Sequence, residues 1–298
     1  MNQEIDNLII EKHIKFYNVV IGLSSSLAII LIYTLGSSLF NYYFFYSKTN
    51  QIVNPLSIVL SQIFLLLVPS VLMVLLLKAP MREFFPMKLP SLKFIIISIV
   101  GIITLLAASE AYLQIQEFLV PLAFKKIYSE IVTDYENMIG QLIGKGNFLL
   151  VLQGFGVLAL VPAVAEEFLF RGYLQRSLMK GLKPMTAIII TASIFSVSHL
   201  NIINIIPLAF IGFYLGYVSY LSSSLLIPII LHFVNNTVSV LSFYFNDSNQ
   251  IDSVVISNSQ INISMIVFGV AASMTIGLLW YLNKNYNPVI MNHPTEDL

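Results

Sequence analysis

Eight stretches of about 20 apolar residues decide what this chain can fold into: roughly 17–40, 56–77, 94–115, 147–170, 185–206, 207–222, 224–244 and 261–282. A helix of that length crosses the roughly 30 Å hydrocarbon core of a bilayer. Backbone N–H and C=O groups find no water there, so each run must satisfy them internally as a helix. Composition agrees, with 57% hydrophobic residues, only 10% charged ones and a mean hydropathy of +0.84. Soluble domains carry about 25% charged residues. The expected fold is all-α, a polytopic membrane bundle of about eight transmembrane helices forming one integral membrane domain over 1–298. Residues 1–16 read as a polar amphipathic lead-in and 284–298 as a short tail.

Basic residues orient such a bundle. With the amino terminus inside, the inner segments carry ten: Lys12, Lys15, Lys78, Arg82, Lys88, Lys93, Arg176, Lys180, Lys183 and Lys284. The outer segments carry four: Lys48, Lys125, Lys126 and Lys145. That asymmetry places both termini in the cytoplasm, with the cell membrane as the expected location. Aromatic residues at 42–46 suit the outer interface. Segment 116–146 is the longest connection; it reads as an amphipathic helix, at the outer surface or folded over the bundle, or as a solvated loop. Zero net charge gives no reason to expect nucleic-acid binding. The absence of cysteine removes disulfides, thiolate metal sites and a cysteine nucleophile.

Against this apolar background stands Ala165-Glu166-Glu167-Phe168-Leu169-Phe170-Arg171. A charge at the bilayer centre costs about 2.5–3.5 kcal/mol on insertion scales, so intramembrane charges mark function. Glu167 and Arg171 are four apart and share a helix face, so they can pair. Glu166 points about 100° away and has no local partner. The pair reads as structure and Glu166 as chemistry.

Of four histidines, His13 and His293 lie in the tails, and His199 and His232 lie in apolar runs. A lone intramembrane histidine is commonly an interhelical hydrogen-bonder. Here each has a companion one turn away: Phe195 before His199, and Asn236 after His232. At 1.5 Å per residue, Glu166 lies about 28 Å below Asn147, His199 about 22 Å above Pro184 and His232 about 12 Å above Ser224. These depths agree to about 10 Å in a bilayer of about 40–45 Å. One cavity in the cytoplasmic half is therefore expected. Asn201 and Asn204 read as helix-end hydrogen-bonders or substrate contacts.

Burial in an apolar cavity makes a carboxylate a better base near neutral pH. Glu166, aided by His199, could activate a water. The resulting oxyanion needs preorganised donors, which His232 and Asn236 could supply. Other protease chemistries fit worse. All five aspartates (6, 134, 247, 252 and 297) lie outside the apolar runs, and no His-Glu-x-x-His exists. Gly22-Leu23-Ser24 is a weak serine-nucleophile pattern. One metal option stands: Glu166, His199 and His232 form a two-histidine, one-carboxylate set for a divalent ion such as zinc, with Asn236 outside it. Sequence alone leaves metal-activated and glutamate-activated water both open.

Three motifs thus occur in order: Glu166-Glu167-x-x-x-Arg171, Phe195-x-x-x-His199 and His232-x-x-x-Asn236. Together with Ile211-Gly212-Phe213-Tyr214-Leu215-Gly216 and Leu226-Ile227-Pro228, they resemble the CPBP family, the CAAX prenyl protease and bacteriocin-processing (Abi) proteins. The likeness spans roughly 145–245, the expected catalytic core. It implies an intramembrane endopeptidase, historically labelled a metalloprotease and since regarded as a glutamate enzyme needing no cofactor. By motif, Glu166 and His199 would activate water, and His232 and Asn236 would form the oxyanion hole. Glu167, Arg171 and Phe195 would support the geometry. The implied partner is a membrane-embedded or lipidated peptide or protein.

Two other classes use the same residues. A proton-coupled transporter could relay protons through Glu166 and the histidines, though paired broken helices in repeated halves are missing. A non-catalytic immunity or scaffold protein would keep the motifs without turnover.

Overall fold

The computed structural model describes residues 2–43, 54–143, 148–245 and 258–286. The aromatic positions 44–46, Lys48, Lys145 and the tail beyond 286 lie outside the described residues. Among the described residues the chain is helical without strands: α1 Asn2–Asn41, α2 Pro55–Leu76, α3 Met81–Phe84, α4 Leu92–Leu119, α5 Leu122–Ile143, α6 Leu149–Met179, α7 Pro184–Ser198, α8 Ile205–Ser222, α9 Leu226–Phe245 and α10 Asn258–Asn285.

Seven of these helices are long and apolar enough to cross a membrane. The eighth expected span, 185–206, is corrected: α7 has only 15 residues and stops at Ser198. At 1.5 Å per residue it is about 22 Å long, short of the hydrocarbon thickness. A helix leaves its last carbonyls without partners. Here the His199 ring takes one of them, and Leu200 turns left-handed at φ 51. Asn201 Oδ1 then accepts from Asn204 N–H at 3.2 Å, just ahead of α8. The apolar run continues through this turn, which is why hydropathy alone does not mark it.

The outer surface is apolar. Leu31, Ile32, Leu35 and Leu39 on α1, and Ile276 and Trp280 on α10, all point outward. Soluble monomers rarely expose such continuous patches. The protein is a multi-pass integral membrane protein. Residues 122–143 of the long connection form α5. Phe124, Ile127, Ile131 and Tyr135 line its exposed apolar side, while Leu142 and Ile143 are buried, Ile143 against Gly154 of α6.

α6 runs through the bundle, contacting α1 and α2, α7, and α9. Its approach to α1 is close: a Cβ on Gly22 would lie 2.2 Å from Ser177 Cβ, so only glycine fits. α10 lies along α4, with Thr104 and Thr275 hydroxyls 2.8 Å apart and Ser264 donating to Gln114 at 2.6 Å. Tyr214 of α8 donates to the Ser98 carbonyl of α4 at 2.8 Å.

Two helices widen before a proline. Pro162 cannot bond the carbonyl four residues back, and its ring pushes that carbonyl away. A π-helical stretch over Phe155–Leu160 leads into it, as Gln62–Leu67 does ahead of Pro69. A third wide stretch, Phe168–Leu174, follows the glutamate pair directly, and such turns concentrate at functional sites.

Candidate active site

Glu166 and Glu167 sit at the end of the ordinary helical turn Val161–Glu167 and project differently. Glu167 is completely buried and bonds through one oxygen, its Oε2 having no hydrogen-bond partner. Its Oε1 accepts from Arg171 Nη1 at 2.6 Å and from His232 Nδ1 at 2.8 Å. Arg171, also completely buried, spends its other terminal nitrogen on the Gly212 carbonyl of α8 at 3.0 Å, and its guanidinium lies 4.6 Å from the Phe195 ring centre. An unpaired buried ion is costly; this one is paired, hydrogen-bonded and stacked. A single cation thereby ties α6, α7 and α8 together.

Glu166 is held by almost nothing. Its Oε2 is buried yet has no hydrogen-bond partner. Two imidazole nitrogens lie close to it, His199 Nε2 at 3.7 Å and His232 Nε2 at 3.9 Å. Both gaps exceed hydrogen-bond length, and a water set off the line between the atoms could bond both.

The two rings differ in how they are anchored. His199 Nδ1 is 2.7 Å from the Phe195 carbonyl, which can only accept, so that nitrogen carries the proton. In the neutral ring Nε2 is then the bare nitrogen, and it faces Glu166. His232 Nδ1 instead faces the Glu167 carboxylate, at 2.8 Å. Phe195 sits between them as a wall, its ring 4.6 Å from His199, 5.9 Å from His232 and 5.1 Å from Phe170. Exposure falls from His199, 29%, through Glu166, 15%, to His232, 4%, so the cluster opens on the His199 side.

Asn236 lies one turn beyond His232 on α9, half-buried. Its Oδ1 accepts from Asn235 Nδ2 at 2.8 Å, which leaves the Asn236 amide N–H groups free to donate. The chain thus gathers Glu166, Glu167, Arg171, Phe195, His199 and His232 into one connected cluster. Two participants were not anticipated. The Gly212 carbonyl was quoted only as part of a stretch, and Asn235 gives no signal in sequence beyond being a polar neighbour of Asn236. The Glu167–His232 bond joins residues 65 apart and also went unforeseen.

The zinc alternative requires a donor set. Among the described residues no group of three or more His, Cys, Asp or Glu side chains is arranged to hold a metal ion. Glu166, His199 and His232 do not form one as they stand.

Close packing supports the cluster from behind. A Cβ on Gly212 would lie 3.0 Å from the Phe195 ring and 3.2 Å from Ala192 Cα. Gly212→Val should therefore push α8 off α7, costing about 1–3 kcal/mol through overpacking. Thermal unfolding in detergent checks the stability loss.

These features define a class, an integral membrane helical protein that brings a carboxylate and two imidazoles together within its bundle. Residues 148–238 match the family model described as Rce1-like, type II CAAX prenyl endopeptidase Rce1-like. Over that region the chain is similar to the CAAX protease family. The matched stretch runs from the start of α6 into α9 and contains every residue of the cluster. No curated protein and no solved structure gives a significant match.

Proposed function

We propose that this protein is an intramembrane endopeptidase that hydrolyses a peptide bond in a membrane-associated peptide or protein, with no metal in the reaction. The observation that carries the reading is Glu166 Oε2, buried, unpartnered and set between the two Nε2 atoms, within a CAAX-protease-like region.

In this reading a water sits between Glu166 Oε2 and His199 Nε2 and donates to both. It attacks the scissile carbonyl carbon while its proton passes to Glu166. The carbonyl oxygen becomes an oxyanion and accepts from Nε2–H of the His232 imidazolium and from Asn236 Nδ2–H. Glu167 holds that ring by its other nitrogen, and Arg171 bonds the same Glu167 oxygen. The tetrahedral intermediate collapses as the C–N bond breaks, and Glu166 returns the proton to the leaving amine. No covalent enzyme intermediate forms. The division of labour follows the anchors: a carbonyl behind His199 keeps it a base, and a carboxylate behind His232 keeps it a donor. With the termini cytoplasmic, cleavage takes place in the inner half of the bilayer.

Comparing membrane proteomes of wild-type and Glu166→Gln strains tests this. One protein should lose its processed form in the variant. Identical processing in both strains, with pH-driven solute uptake by the purified protein, would replace the proposal with a proton-coupled transporter.

A further inference from the structure

The family match begins at residue 148, yet the wide turn that follows Glu167 is packed from outside it, by the connection between α2 and α4. Phe84 and Phe85, at the end of α3 and just past it, are buried, although Met81, Arg82, Met87, Lys88 and Leu89 around them are exposed. The Phe85 ring stacks on Phe168, with ring centres 4.7 Å apart and planes 25° apart. It also lies directly on the backbone at Gly172, where a Cβ would come within 2.6 Å of it. Phe168 and Gly172 are the first and fifth residues of the wide stretch Phe168–Leu174. One ring from a distant connection thus covers that turn.

The connection is pinned on both sides of this ring. On the α6 side, the Glu83 carbonyl accepts from Arg176 Nη1 at 3.0 Å, and the Glu83 carboxylate pairs with Lys180 at 3.0 Å. On the α9 side, the Pro86 carbonyl accepts from Leu225 N–H at 2.8 Å, and the Lys88 carbonyl accepts from the Ser224 hydroxyl at 2.6 Å. Moving the ring off Gly172 means moving residues held by these bonds. A wide turn needs such a hold. Its backbone bonds reach the fifth residue back, as from Gln175 N–H to the Phe170 carbonyl. That geometry is rare and persists where its surroundings enforce it. Reversion to ordinary helix would rotate Arg171 relative to Glu167. Arg171 Nη1 and His232 Nδ1 share one Glu167 oxygen, so that rotation would reach His232 as well.

We propose that Phe85 is a positioning residue for the site. Its ring, set on Phe168 and Gly172, holds the wide turn open. The turn fixes the direction from which Arg171 meets Glu167, and Glu167 in turn orients His232. The connection between α2 and α4 then steadies a site that the family region does not hold alone. This inference rests on the endopeptidase reading.

The test uses the full-length protein in proteoliposomes and, as substrate, the peptide whose processing is lost in the Glu166→Gln strain. Phe85→Leu keeps an apolar side chain and removes the flat stack; kcat should fall about 10- to 100-fold with KM within about twofold. Phe85→Met fills more of the volume without a ring and should show the same fall. With isotope-labelled histidines, the His232 Nδ1 NMR signal should shift in both variants, a change that lower stability alone does not produce. Gly172→Ala presses on the ring from the other side and should lower both unfolding temperature and kcat. In Phe85→Leu/Gly172→Ala the new methyl takes space the ring leaves. The two stability losses should then be less than additive, while kcat stays as low as in Phe85→Leu. Wild-type kcat or an unmoved His232 signal in folded Phe85→Leu and Phe85→Met, with Glu166→Gln inactive, overturns the role of Phe85 and leaves the endopeptidase reading standing. Additive stability losses overturn the Phe85–Gly172 contact as its cause. An active Glu166→Gln overturns both readings together.

Discussion

Arg171→Met should destabilise the protein by about 3–5 kcal/mol, the cost of leaving a buried ion without its partner. Arg171 is completely buried, and its guanidinium makes three separable contacts: Glu167 Oε1 at 2.6 Å, the Gly212 carbonyl at 3.0 Å and the Phe195 ring at 4.6 Å. Methionine fills much of the volume and replaces none of them. Glu167 would keep only His232, and the Gly212 carbonyl would lose its bond to α6. Thermal unfolding in detergent reads the loss directly. The double variant Glu167→Leu/Arg171→Met removes both charges and should recover most of the stability, since apolar isosteres of a buried pair are often neutral or better. Cleavage should nonetheless stay lost, because His232 Nδ1 then has no acceptor and its ring no fixed orientation. Recovery of stability without recovery of activity separates the pair's two duties.

Glu166→Gln should do the reverse. The substitution is isosteric and breaks no hydrogen bond, because Oε2 makes none. Stability should change by less than about 1 kcal/mol, and removing a half-desolvated charge can raise it. Cleavage should fall by about 10³-fold or more, within the range general-base groups contribute. Glu166→Asp withdraws the carboxylate by one methylene and should lose about 10²-fold through misplacement alone. A stable variant without activity beside an unstable one without its cation is the signature of one carboxylate placed for reaction and its neighbour placed for support.

The fold was readable because hydropathy registers every apolar run, and helices are the only answer a bilayer accepts for such runs. The pairing of Glu167 with Arg171 was readable because i,i+4 spacing alone puts them on one face. Periodicity stops at the helix surface, however. It could not tell that Glu167 also bonds His232, since that contact depends on how α6 and α9 pack. Nor could it end α7 at Ser198. The signal there is a histidine capping the carbonyl four residues behind it, inside a run whose hydropathy does not dip.

The central claim is that Glu166, and not a bound metal, activates the water. It is tested most directly by cleavage in proteoliposomes, comparing wild type and Glu166→Gln with and without 1,10-phenanthroline. The account predicts full wild-type activity in the chelator and none above background in the variant. Wild-type activity that the chelator abolishes and added zinc restores, or undiminished turnover by Glu166→Gln, would contradict it.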